Sequence, residues 1–162
     1  MLQYQKELLS LLFQDFPESF IFALAVFALL RLRFDYKKIL IVAILQTFTN
    51  LIRLLPIAFG VHTLILIITL AVYVRLVTKE KITKIFGFTI LVFVILLSMQ
   101  ILYAEPLLNI THLSYEDVNV SPLLRGIFCL PYEIVLLGLA IFLNYKNKKL
   151  NRFNTTTSER RL

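Results

Sequence analysis

Six ionisable side chains punctuate otherwise apolar runs: Glu18, Arg53, His62, Glu105, Arg125 and Glu133. A charge near the middle of a bilayer costs about 2.5–3.5 kcal/mol on insertion scales, so such groups turn inward, pair or line a wet cavity. Glu18 and Glu105 are available partners for Arg53 and Arg125, whereas Glu133 lies deeper and needs a proton, a water or a cation beside it. Two outcomes are open. The cluster could form an outward-open polar pocket that holds a small ligand or senses a lipid, an ion or pH. Alternatively, Glu18, Arg53, Glu105 and Arg125 reach the headgroups and form structural ion pairs. Only Glu133 is too deep for that escape.

Between Ile39 and Leu55 the polar residues Gln46, Thr47, Thr49 and Asn50 precede Arg53. Gln46, Asn50 and Arg53 follow i, i+4, i+7 spacing, which predicts one inward-facing helical stripe. Pro56 and Gly60 come next and would shape the rim of the same site. His62 reads as a packed, hydrogen-bonded residue, because His112 is the one other histidine and two imidazoles are too few for a zinc centre. The single cysteine, Cys129, lies between Phe128 and Leu130, where a buried thiol is inert and no intramolecular disulfide can form. No Ser/His/Asp arrangement, phosphate-binding loop or metal motif is visible, so neither an enzyme nor a bound cofactor or metal is expected. Asn109-Ile110-Thr111 matches a glycosylation sequon, which matters only in a secretory eukaryotic setting.

The elements that must position these residues follow from hydropathy. Of 162 residues, 59% are hydrophobic and 17% charged, with mean hydropathy +0.81. Soluble domains are nearer a quarter charged. The long uncharged runs predict an all-α integral membrane protein with five transmembrane helices, at about 16–32, 39–55, 57–77, 82–104 and 122–143. The second has 17 residues, or roughly 26 Å at 1.5 Å per residue, which spans a bilayer only if its ends thin the lipid or snorkel.

The apolar run 39–77 could instead be one helix, but its 39 residues are about twice what a bilayer needs. Pro56 disfavours α conformation at Leu55, and Gly60 adopts φ > 0 without penalty, so a tight turn is expected. Charge agrees. "RLRFDYKK", "TKEKITK" and the tail after 143 are rich in Lys and Arg, whereas "EPLLNITHLSYEDVNVS" has three acids and no base. The positive-inside rule then places the N-terminus outside and the C-terminus in the cytoplasm.

Residues 1–15 are expected to form an outer amphipathic helix or an extension of the first span. Residues 144–162 form a basic cytoplasmic tail, Thr/Ser-rich at its end. The net charge of +7 sits in clusters beside apolar segments, a pattern of contact with anionic lipid headgroups rather than nucleic acid. The short Leu8–Phe13 run does not resemble a cleavable signal.

The order "FPESFIFALAVFALL", "RLLPIAFGVHTLILI", "PLLRGIFCLPYEIVLLGLAIF" resembles the N-terminal membrane sensor region of bacterial GHKL-type sensor histidine kinases, over nearly all of residues 16–145. The resemblance implies a multi-span input domain of the bacterial plasma membrane that ends in the cytoplasm, here without a kinase domain. It also implies a non-enzymatic sensor or regulator acting on a kinase or other membrane signalling protein. None of the family's catalytic residues transfers. The alternative is a small transporter component that binds substrate beside a separate energising partner. That reading expects more midplane Gly and Pro breaks than a chain with four glycines provides.

Overall fold

The computed structural model describes residues 14–54 and 60–150, and these are helical throughout apart from short connectors. The α-helices are α1 (Phe16–Leu29), α2 (Tyr36–Asn50), α3 (Val61–Thr78), α4 (Ile82–Thr111), α5 (Tyr115–Val120) and α6 (Pro122–Lys149). No strand occurs among the described residues, in keeping with the expected all-α class. Three helices, Val61–Thr78, Ile82–Thr111 and Leu123–Lys149, are long and apolar enough to cross a membrane.

Local chemistry sets the helix ends. Pro17 occupies the first turn of α1, where its missing N–H costs nothing. The other end of α1 closes by Leu32 N–H to Phe27 O and Arg31 N–H to Ala28 O, with Arg31 left-handed at φ 58°. This is a Schellman closure with arginine where glycine is usual. Asp35 caps α2 by accepting from the backbone N–H of Lys37 and Lys38. A 3-10 turn, Leu51–Leu54, tightens its far end. Gly60, at φ +95°, is the N-cap of α3. The predicted turn is described only at this glycine, since Pro56 lies outside the described residues.

Helix α4 continues to Thr111, seven residues past the predicted Ala104, and carries Pro106 inside it. Pro106 has no N–H, so the Leu102 carbonyl goes without its helical donor. Helix α6 likewise runs beyond the predicted 143 to Lys149, with Pro131 inside it and three lysines in its last turn. Those lysines complement the negative end of the helix dipole, which favours extending the helix into the polar segment.

Helix α1 is the hub. It packs against α2, α4 and α6, while α3 closes the bundle between α2 and α4. Every residue of α1 from Ile21 to Ala28 is buried, so the helix is apolar around its whole girth. Ala23, Ala25 and Ala28 keep its sides small enough for neighbouring backbones to approach. Helices α1 and α6 run parallel: Gln14 bonds Cys129, Glu18 bonds Tyr132, and Ala28 bonds Asn147. Helix α2 runs the other way, since Asn50 near its end bonds Asp15 and Ser19 at the start of α1. Helix α4 opposes α6, with Tyr103 bonded to the Phe128 carbonyl and Phe93 in tilted contact with Phe22 on the parallel α1.

The outer surface of the bundle is unlike that of a protein in water. Glu18, Ser19, Gln46, Asn50, Thr89 and Glu133 are buried, while Leu40, Phe48, Leu64, Ile68, Val94, Ile101, Ile134 and Ile141 are exposed. Apolar surface this extensive suits hydrocarbon rather than water. In lipid, apolar contact between helices contributes mainly packing, and interhelical hydrogen bonds of about 0.6–2 kcal/mol each add to it. Gln46 supplies one such bond to the Leu66 carbonyl at 3.1 Å, and the Thr49 and Tyr73 hydroxyls share another at 2.9 Å.

Candidate functional site

The alternating helices bring the start of α1, α3 and α6 to the same end of the bundle as the end of α4. A cavity of about 440 Å³ lies there, bounded by α1, α3, α4, α5 and α6. Its apolar wall comes from Leu66 on α3, Phe93, Leu96 and Leu108 on α4, and Phe128 on α6. Its polar lining includes Gln14, Glu18, His62, Tyr103, Arg125, Cys129 and Tyr132. Short helix α5 contributes Val118, which is buried against the cavity.

Five of the polar groups, Gln14, Glu18, Tyr103, Cys129 and Tyr132, make contacts that hold them in place. Glu18 sits in the first turn of α1, where the helix dipole favours a carboxylate, and it is buried. The Tyr132 hydroxyl donates to Glu18 Oε1 at 3.0 Å. Gln14 Nε2 donates to Cys129 Sγ at 3.3 Å. The Tyr103 hydroxyl donates to the Phe128 carbonyl at 2.7 Å, and its ring stacks on Tyr132 with centroids 6.5 Å apart. Pro131, with no N–H, leaves the Ile127 carbonyl without its helical donor one residue before the carbonyl that accepts from Tyr103.

The predicted site residues separate into groups. Glu18, His62 and Arg125 line the cavity together. Glu105 is exposed on α4 and Glu133 is buried on α6, and neither is among the cavity's lining residues. Gln46 and Asn50 face inward, but they are engaged in helix-to-helix bonds with Leu66 and with Asp15 and Ser19. Gly60 stands at the start of α3. Arg53 falls in the 3-10 turn after α2, with its side chain outside the described residues. Among the described residues no group of three or more His, Cys, Asp or Glu side chains is placed to hold a metal.

Sequence reasoning missed Gln14, Tyr103 and Tyr132, and it treated Cys129 only as core. The signal existed as spacing. Arg125, Cys129 and Tyr132 stand at i, i+4, i+7 on α6, and Gln14 and Glu18 at i, i+4 at the head of α1. Tyrosine in an aliphatic helix also signals a hydroxyl that needs a partner.

What the arrangement can do is bind. It places both charge signs, several neutral donors and acceptors, and an apolar wall around one small volume. Among the described residues the fold and the site together define an all-helical bundle with three helices fit to cross a membrane and a polar-lined cavity at one end. No protein-family model, curated protein or solved structure matches it.

Proposed function

We propose that the chain is a non-enzymatic sensor or regulator of a bacterial cell membrane, with five spans, the N-terminus outside and the C-terminus in the cytoplasm. The cavity is its outer-leaflet input site. The basic tail after α6 is its output, acting on a kinase or another membrane signalling protein. The resemblance to histidine-kinase sensor regions and the alternating charge of the loops support this reading.

The observation that carries it is the pairing of α1 with α6. These parallel helices are joined inside the cavity by Glu18 and Tyr132 and at the far end by Asn147 Nδ2 donating to Ala28 O at 2.9 Å. Asn147 lies among Lys146, Lys148 and Lys149. A ligand that alters the Glu18–Tyr132 contact changes the packing of two helices whose contact at the far end sits in the basic segment.

Purification of the full chain in nanodiscs, with its bound proteins identified, tests the proposal. A kinase or response regulator is expected, with recovery reduced in Asn147→Leu while the variant itself still accumulates. Copurification with a pair of ATPase subunits would contradict it and favour a transporter component.

A further inference from the structure

The chemistry of the cavity narrows its ligand, on the premise that the cavity is the input site proposed above. Gln14 is buried and lines the cavity, and its Oε1 has no hydrogen-bond partner among the described residues. A buried acceptor left unpaired is costly, so the site is complete only when something donates to it. Glu18, one helical turn away, lines the same wall and favours a cationic donor. Arg125 lies seven residues before Tyr132 on α6, about 10 Å along the helix axis, and supplies the opposite charge to the same cavity. The cavity also has a lateral side. Leu97 lines it and is at the same time 47% exposed on the apolar outer surface of α4.

From these observations we infer that the cavity takes a zwitterionic headgroup of the phosphoethanolamine type, entering sideways from the lipid past Leu97. The primary ammonium donates to Gln14 Oε1 beside Glu18, the phosphate lies toward Arg125, and the chain attached to it runs along Phe93, Leu96 and Leu97. A choline headgroup has the same charges but no N–H, so it cannot complete the Gln14 acceptor. That difference makes the inference testable with the wild-type chain.

The single cysteine of the chain, Cys129, lines the cavity and reports occupancy. The full chain is reconstituted in nanodiscs of phosphatidylcholine alone or with phosphatidylethanolamine added, and the rate of Cys129 modification by a small, charged methanethiosulfonate is measured. Modification is expected to be several-fold slower with phosphatidylethanolamine present. Gln14→Leu, which removes one charge-assisted hydrogen bond worth about tenfold in affinity, is expected to abolish this difference between the two lipids. Equal wild-type rates in the two lipids would overturn the inference while leaving an open cavity in place. Protection by soluble O-phosphoethanolamine without protection by the lipid would overturn the lateral lipid source. A Cys129 that resists the reagent in phosphatidylcholine discs would overturn the water-accessible input site itself.

Discussion

Tyr132 and Glu18 form the contact on which the cavity's geometry depends most closely. The hydroxyl at 3.0 Å is a donor to a carboxylate that the fold has buried beneath the start of α1. Removing it leaves one fewer donor for Glu18, and interhelical bonds in membranes are worth about 0.6–1.7 kcal/mol. Tyr132→Phe is therefore expected to lower stability by about 1 kcal/mol in a mixed-micelle denaturation experiment. Wild-type stability would mean that this bond does not hold α6 to α1. Glu133, the next residue, is buried, but its position one residue on from Tyr132 turns it about 100° around the helix, and it is not among the cavity's lining residues.

At the scale of elements, α5 is the one described helix fixed mainly by its own local chemistry. Ser114 and Asp117 form a capping box: the Ser114 backbone N–H and hydroxyl donate to Asp117 Oδ2, and Asp117 N–H donates to Ser114 Oγ. The Ser114 hydroxyl first, then its backbone N–H, hold the Asp117 carboxyl below its ordinary value of 3.8. Because the folded value is lower than the unfolded one, the cap contributes its full stabilisation above the unfolded value. It loses that contribution as pH falls through the folded value. Hydrogen-exchange protection at the Ser114 amide should therefore drop in acid below about pH 4, and Asp117→Asn should flatten that dependence. Unchanged protection across the acid range would show that the cap does not hold α5 over the cavity.

The whole molecule was legible where physics acts along the chain. Long apolar runs marked the helices, and Gly60 lies where a left-handed residue starts α3. The site was less legible, because it is assembled between helices. The stripe Gln46, Asn50, Arg53 correctly pointed Gln46 and Asn50 inward, but periodicity cannot tell a ligand-facing amide from one bonded to Leu66 or Asp15. Glu18, His62 and Arg125 meet because α1, α3 and α6 share a direction, which single residues do not encode.

The central claim is that five helices alternate across the membrane with the cavity facing out. Single cysteines placed at Tyr115→Cys and Ser158→Cys, each in a Cys129→Ala background, test it with a membrane-impermeant maleimide on intact cells. Labelling of the first without the second is predicted. Labelling of both from the same side would contradict the topology and, with it, the outward-facing cavity.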